Sequence, residues 1–129
     1  MTREEIIEFA SRYDPQPFHL SEEAGKATHF GGLVASGWHT GSMAMRMLVD
    51  QMPEGDSGSL GSPGIDELKW TRPVVAGDVL GMRTTVLNKK ESRSRPEMGL
   101  VQVLNEVLNQ QGQLVMSFRS WVMVKRRPQ

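Results

Sequence analysis

A carboxylate and an imidazole lie close together in a proline-rich segment near the N-terminus. Asp14 and His19 flank the sequence Pro-Gln-Pro-Phe, and prolines restrict the backbone that presents both side chains. Such a pair can hold one water molecule, and an imidazole group transfers protons readily near neutral pH. The pair therefore predicts general acid–base chemistry on water. The alternative interpretation is an aspartate that caps a turn beside a surface histidine.

Other residues that could carry chemistry fit known patterns less well. His19, His29 and His39 are ten residues apart, so no two of them can share one helical turn as in a zinc-binding helix. Ser36 lies at a loop-to-helix junction but lacks the G-x-S-x-G pattern of a nucleophile elbow. The chain has no cysteine, which excludes disulfides and thiolate metal sites. We expect no metal, no cofactor and no serine nucleophile.

A long apolar segment follows the loop around Phe30. Residues 37–52 predict a helix of roughly 24 Å that is hydrophobic on nearly all sides, and such a helix is typical of a protein interior. Gly37 would begin this helix. The uncovered N–H groups of a helix N-terminus, together with the helix dipole, can bind an oxyanion.

The polar residues of this helix form one stripe. His39, Ser42, Arg46 and Asp50 are spaced by three, four and four positions, which places them on one side of a helix. The stripe is either a solvated or dimer-facing edge, or a surface where Ser42 and His39 meet a substrate. Trp38 lies on another side and predicts an apolar part of the pocket.

The remaining chain predicts two short helices and four strands. A capping-box pattern starts a helix at Thr2 that runs to about Arg12, and Ser21 caps a second one to about Thr28. Alternating hydrophobicity indicates strands near residues 65–72, 78–91, 98–109 and 113–125. Turns are predicted at residues 109–112 and 93–99, and a loop at 53–64. The predicted fold is α+β: a curled antiparallel sheet wrapped around a long central helix.

Length and charge limit the function classes. The 129 residues are enough for one domain, spanning residues 1–129, with its own core. Fifteen basic and fifteen acidic residues cancel, so the chain offers no charge footprint for nucleic acid or for an anionic membrane. No stretch is long and apolar enough to span a membrane, and the N-terminus does not read as a signal peptide. We therefore expect a cytoplasmic protein.

Three segments resemble one protein family. Residues 14–19, DPQPFH, resemble the D-x-N-P-x-H hydratase motif of MaoC-like dehydratases and (R)-specific enoyl-CoA hydratases. Residues 30–37, FGGLVASG, are similar to the F-x-x-P-I-x-H-G segment of that family, and residues 72–78, RPVVAGD, to its P-V-x-x-G-D segment. The resemblance spans nearly the whole chain in the same order. It implies the hot-dog fold, which agrees with the predicted sheet around a central helix.

The resemblance also implies roles for individual residues. Asp14 and His19 match the catalytic pair that holds and activates water, and Gly37 matches the glycine whose N–H receives the thioester oxygen. Ser42 matches a helix serine near the active site, and Trp38 adjoins the same site. Gln16 and Gly32 depart from the family asparagine and proline. Ser36 replaces the histidine that normally precedes the glycine, so it is expected beside the oxyanion site, where it changes substrate preference.

The implied activity is the reversible addition of water to a 2-enoyl-CoA thioester, giving a 3-hydroxyacyl-CoA, with the CoA thioester as substrate and no further cofactor. A hot-dog thioesterase is one alternative, although its carboxylate on the central helix would have to be Asp50 at the far end. A non-catalytic acyl-CoA-binding protein is the other.

Two further predictions concern partners. Arg93 and Arg95 belong to the densest basic cluster, and guanidinium groups bind phosphate bidentately. They are predicted to contact the CoA phosphates of a neighbouring subunit, unless they form a solvated hairpin tip. Because the predicted sheet has free edges, we expect a homodimer or a higher homo-oligomer.

Overall fold

A computed structural model describes residues 1–51, 60–91, 95 and 97–125. Three helices come first: α1 (Arg3–Tyr13), α2 (Glu22–Lys26) and α3 (Gly37–Asp50), with a short 3₁₀ helix at Pro17–His19 between α1 and α2. Four strands follow: β1 (Gly64–Trp70), β2 (Gly81–Glu91), β3 (Met98–Leu108) and β4 (Leu114–Lys125). The α+β prediction is confirmed. Within the described residues, no helix is long and apolar enough to cross a membrane.

Helix α1 leads directly into the proline-rich segment that carries Asp14 and His19. Thr2 and Glu5 form the predicted capping box: the Thr2 hydroxyl accepts from the Glu5 N–H at 3.1 Å, and the Glu5 carboxylate accepts from the Thr2 N–H at 3.2 Å. The helix ends at Asp14, whose N–H donates to Ala10 O at 2.9 Å. Proline then starts the 3₁₀ turn, where its fixed φ and missing N–H cost nothing. His19 is thereby turned back toward Asp14.

The strands form one antiparallel sheet in the order β1-β4-β3-β2. The predicted turn at residues 109–112 joins β3 and β4, where Gly112 has a φ of 74° and its N–H donates to Asn109 O at 3.0 Å. A positive φ of this size favours glycine. The second strand begins later than predicted because Asp78 is buried in a turn, where its carboxylate accepts from the Val75 N–H at 3.0 Å.

The central helix is less buried than its sequence predicted. Only His39, Thr40 and Ala44 of α3 are buried, whereas Trp38 and Met45 are more than half exposed, at 61% and 51%. The sheet covers one side of the helix, with the core formed mainly by side chains from β3, β4 and the loops. The prediction of a helix enclosed on all sides was wrong for the single chain. The exposed residues of α3 include the apolar Trp38, Met45 and Val49.

The polar stripe of α3 does not act as one surface. His39 is buried and stacks on Phe9 of α1, with ring centroids 4.7 Å apart and an interplanar angle of 11°. Ser42, Arg46 and Asp50 are exposed, and Arg46 Nε lies 3.1 Å from Asp50 Oδ1 in an ion pair. Helical spacing alone could not distinguish these environments, because α1 packs over only one end of the stripe. The predicted loop at 53–64 lies largely outside the described residues, and the predicted turn at 93–99 lies partly outside them.

Candidate active site

His19 is fixed by a hydrogen bond to the backbone. Its Nδ1 lies 2.7 Å from Val34 O, and because a carbonyl oxygen can only accept, Nδ1 carries the proton and donates. Its Nε2 then faces Asp14 Oδ2 at 3.2 Å. Only 7% of the His19 side chain is exposed. In the neutral imidazole, Nε2 is therefore an unprotonated base beside a carboxylate.

Asp14 is held as an anion by three neighbours. Its Oδ1 accepts from Gln16 Nε2 at 2.6 Å, and its Oδ2 accepts from the Ser36 hydroxyl at 2.7 Å. Burial acts to raise the pKa of Asp14, but the hydrogen bonds from Gln16 and Ser36 and the charge of His19 together hold that pKa below its usual value. The carboxylate is therefore ionised at neutral pH and can accept hydrogen bonds from a bound water.

The N-terminus of α3 presents a free backbone donor to the same place. Ser36 caps the helix, because its hydroxyl accepts from the Trp38 N–H at 3.3 Å while its carbonyl accepts from the His39 N–H at 3.0 Å. Within the described residues, no acceptor is found for the N–H of Gly37. Together with the helix dipole, this N–H is suited to an oxyanion.

Trp70 covers the backbone of Gly37. Its indole Nε1 donates to Gly37 O at 2.9 Å, and a Cβ added at Gly37 would lie 2.5 Å from Trp70 Cε2. Trp38 meets Trp70 edge to face, with ring centroids 5.2 Å apart at an interplanar angle of 83°. A glycine is required at position 37 because the indole ring lies where any side chain would begin.

These groups line one cavity of about 450 Å³. Four of the predicted site residues lie in its wall: Asp14, His19, Gly37 and Trp38. The rest of the lining is largely apolar and includes Phe18, Phe30, Val34, Trp70 and Val115. A cavity with one acid–base pair, one backbone donor and apolar walls is suited to a small polar group attached to a hydrocarbon chain.

Ser36 and Ser42 are placed differently from the other predicted site residues. Ser36 is fully buried and donates to Asp14, so it lies behind the carboxylate and out of reach of a ligand. This placement fits neither the prediction that Ser36 binds substrate nor a role as nucleophile. Ser42 is exposed, donates to Trp38 O at 2.8 Å and does not line the cavity. Its role in substrate binding stays a prediction.

Charged groups named in the alternative predictions lie elsewhere. Asp50 is exposed and paired with Arg46, and neither lines the cavity. Arg93 lies outside the described residues. Arg95 Nη1 lies 3.9 Å from Glu97 Oε1. Both residues come just before β3, whose first residue, Met98, pairs with Lys125 of β4. Val115, which lines the cavity, is ten residues from Lys125 along β4, a distance of roughly 30 Å at about 3.3 Å per residue.

Sequence reasoning missed three residues that shape the cavity: Gln16, Trp70 and Arg72. Gln16 was noted only as a departure from the family asparagine, yet its amide donates to Asp14. Trp70 ends β1, and Arg72 follows directly before Pro73. The sequence did offer a signal for Trp70 and Arg72, since both lie just before Pro73. The residue before a proline is held in an extended conformation, which fixes the direction of the chain there.

Solved structures of other proteins have the same fold as this chain and part of its sequence. The chain is 43% identical to the MaoC-like dehydratase from Rhodospirillum rubrum, with a TM-score of 0.90 over 100% of this chain and 87% of that one. The (R)-hydratase PhaJ1 from Pseudomonas aeruginosa, 24% identical, has the same fold, with a TM-score of 0.76 over 98% of this chain and 76% of that one. The predicted hot-dog fold is thereby confirmed.

A curated relative matches over a shorter range. The mesaconyl-CoA hydratase of Cereibacter sphaeroides is 38% identical over 76 residues, which is 59% of this chain but 22% of that protein. The sequence pattern of the MaoC-like domain matches residues 1–110, a range that contains the whole of the cavity apart from Val115. The chain therefore belongs to the MaoC-like domain family.

Proposed function

We propose that this protein catalyses the reversible addition of water to a 2-enoyl-CoA thioester, giving a 3-hydroxyacyl-CoA. One observation carries the proposal: the Asp14–His19 pair lines the same cavity as Gly37, whose N–H has no acceptor among the described residues. Hydration of an enoyl thioester requires a base for water and a donor for the carbonyl oxygen. The mesaconyl-CoA hydratase and (R)-hydratase relatives support a hydratase of acyl thioesters.

The acid–base step follows from the protonation of the pair. When the imidazole is neutral, a water bound beside His19 Nε2 and the Asp14 carboxylate can donate one hydrogen bond to each, because both are then acceptors. As the water oxygen attacks C3, Nε2 takes its proton, and the imidazolium formed lies 3.2 Å from Asp14. The same proton can then be delivered to C2, so the pair ends as it began.

The electrostatic step uses the backbone. Attack at C3 moves charge onto the thioester oxygen, giving an enolate-like transition state. The Gly37 N–H and the dipole of α3 are oriented before the reaction, and preorganised donors of this kind stabilise such charge by roughly 3–4 kcal/mol each. The buried capping bonds of Ser36 hold this end of the helix in place.

The two alternative functions have less support. A thioesterase using Asp50 would need that carboxylate at the thioester, but Asp50 is exposed and does not line the cavity. A purely binding protein would not need the Asp14 pKa to be lowered by two hydrogen bonds and the neighbouring His19. Both arguments favour the hydratase.

The test is a paired assay on purified protein with crotonyl-CoA. Loss of the enoyl absorbance without release of free thiol is expected, and product analysis should give 3-hydroxybutyryl-CoA. Thiol release would indicate the thioesterase. Saturable binding with neither reaction would indicate the binding protein. Asp50→Asn serves as the control variant, since a hydratase should tolerate it and a thioesterase using Asp50 should not.

The phosphate-binding role of Arg93 and Arg95 remains part of the proposal. Arg95 lies at the opposite end of the sheet from the cavity of its own chain, so contact with CoA would require a ligand bound to a neighbouring subunit. A rise in KM on CoA thioesters for Arg93→Ala with Arg95→Ala, absent on pantetheine thioesters, would support it. The same rise on both would argue against it.

A homodimer is also proposed, and two features support it. The outer strands β1 and β2 each leave one edge unpaired by any described strand, and unpaired edges favour association. The apolar side of α3 is uncovered as well, at Trp38, Met45 and Val49. A second copy of the chain could cover these apolar residues of α3 through one symmetric interface.

A further inference from the structure

Arg72 lines the cavity and is also exposed to solvent. Of the described residues that line the cavity, Arg72 is the one with a permanent positive charge. No hydrogen bond or ion pair joins its guanidinium to another described residue. Arg72 is an exposed residue, so its guanidinium, which has no partner among the described residues, is available to bind an anionic group of a ligand in this cavity.

The backbone that carries Arg72 is held on both sides. Before it, Thr71 donates its N–H to Val115 O at 3.0 Å and its hydroxyl to Leu114 O at 2.7 Å. After it, Pro73 restricts the chain, and Val74 O accepts from the Ala35 N–H at 2.8 Å. The side chain of Arg72 therefore extends from a fixed point on the cavity wall.

The guanidinium is separate from the acid–base pair. Asp14 forms its ion pair with His19 and its hydrogen bonds with Gln16 and Ser36. Arg72 contributes neither a bond nor a charge that affects the pKa of Asp14. Its charge is therefore free to act on another part of the ligand, away from the atoms at which water adds.

We propose that Arg72 binds a carboxylate on the acyl chain, so that the preferred substrates are enoyl thioesters of dicarboxylic acids. The inference rests on the proposed hydratase activity and adds the substrate class to it. A carboxylate and a phosphate are both oxygen anions that a guanidinium binds bidentately. The acyl carboxylate is favoured because the pantetheine arm of CoA separates its phosphates from the thioester, whereas Arg72 shares one cavity with Asp14 and His19.

The experiment compares two substrates that differ at one group. Crotonyl-CoA ends in a methyl group at C4, and fumaryl-CoA has a carboxylate at the same carbon. The kcat/KM of each is measured for the wild type, Arg72→Ala and Arg72→Lys, with CoA thioesters and with the matching pantetheine thioesters. Arg3→Ala is the control, because Arg3 is exposed at the start of α1 and does not line the cavity.

The wild type should prefer fumaryl-CoA, and Arg72→Ala should lower the ratio of the two kcat/KM values by about tenfold or more, chiefly through KM. Arg72→Lys should restore part of the ratio because it keeps the charge but not the planar fork. The effect should be the same on pantetheine thioesters. Arg3→Ala should leave the ratio at its wild-type value.

Other outcomes overturn the inference in distinguishable ways. A loss on both CoA substrates that disappears with pantetheine thioesters would make phosphate the ligand of Arg72. An unchanged ratio in Arg72→Ala would remove Arg72 from acyl recognition. Hydration of crotonyl-CoA by a wild type that shows no preference for fumaryl-CoA would overturn the substrate class alone. Hydration of neither substrate, nor of their pantetheine thioesters, would overturn the hydratase function itself.

Discussion

The hydroxyl of Ser36 donates a 2.7 Å hydrogen bond to Oδ2 of Asp14, 22 residues earlier in the chain. The same hydroxyl accepts from the Trp38 N–H, so one buried side chain joins the carboxylate of Asp14 to the N-terminus of α3. Ser36 is therefore a positioning residue. Its bond also helps to hold the pKa of Asp14 low, together with Gln16 and His19.

Replacing Ser36 with alanine should affect both the rate and its pH dependence. Loss of a donor to a charged acceptor should lower hydratase kcat/KM by about tenfold. Because the bond lowers the Asp14 pKa, its removal raises that pKa, and the acid limb of the pH–rate profile should move to higher pH. Ser11→Ala is the control, since the Ser11 hydroxyl bonds only to Ile7 O on the exposed side of α1. A uniform loss at all pH values would indicate a purely structural role.

The acid–base pair itself should account for most of the rate. Asp14→Asn keeps the shape of the carboxylate but not its charge, and His19→Ala removes the base. Each should lower hydratase turnover by about 100-fold or more. Thermal unfolding followed by circular dichroism should show that Asp14→Asn remains folded. Near-normal turnover in this folded variant would remove Asp14 from the mechanism.

Gly37 tests whether the indole of Trp70 fixes the start of α3. A methyl group at position 37 would overlap Trp70 Cε2, so Gly37→Ala should destabilise the protein by about 1–3 kcal/mol. Gly81→Ala is the matched control, because nothing lies within 4 Å of a Cβ built there. Chemical denaturation measures both variants.

A double variant separates overlap from other effects at Gly37. Trp70→Ala removes the ring that an alanine at position 37 would meet. If the overlap is the cause, the destabilisation by Gly37→Ala should largely disappear in the Trp70→Ala background. Equal destabilisation in both backgrounds would mean that the ring is not responsible.

The Asp14–His19 pair and the sheet could both be predicted from the sequence, but for different reasons. Asp14 and His19 lie in one short segment, so a local motif was enough to join them. Strand alternation predicted β3 and β4 closely, because buried and exposed faces alternate along a strand. Ser36 meets the carboxylate of Asp14, and Trp70 meets Gly37, only through the fold, across intervals that no local spacing encodes.

The central helix was misread for a related reason. Hydrophobic residues around α3 indicated burial on all sides, but hydrophobicity does not specify what covers each side. In the single chain the sheet covers one side, and Trp38 and Met45 on another side remain exposed. The sequence pattern is consistent with a second copy of the chain covering the exposed apolar residues of α3.

The uncovered apolar side of α3 should lie in the subunit interface. Light scattering of the wild type at micromolar concentration should give at least a dimer, and Met45→Asp should shift it toward the monomer because a buried unpaired charge is costly. Val79→Asp is the control: Val79 is also exposed and apolar but lies in the loop before β2. A monomeric wild type that retains activity would contradict the proposed dimer.

His39 should make stability depend on pH. Burial is the main reason why the pKa of His39 is lowered; the nearby Glu5 carboxylate opposes this shift, and the charged N-terminus adds to it. The pKa of His39 is therefore lower in the folded state than in the unfolded state, where a histidine has a pKa of about 6.5. As pH falls through that value, the unfolded state binds the proton first and stability decreases.

His39→Phe removes this titration while keeping the stack on Phe9. No hydrogen bond is lost at Nδ1, because this buried atom has no partner among the described residues. In the wild type, the free energy of unfolding from urea titrations should be lower at about pH 5.5 than at about pH 7.5. The difference should be smaller in His39→Phe. His29→Gln, at an exposed position, should keep the wild-type dependence. If His39→Phe loses as much stability at the lower pH as the wild type does, another group is responsible for the pH dependence.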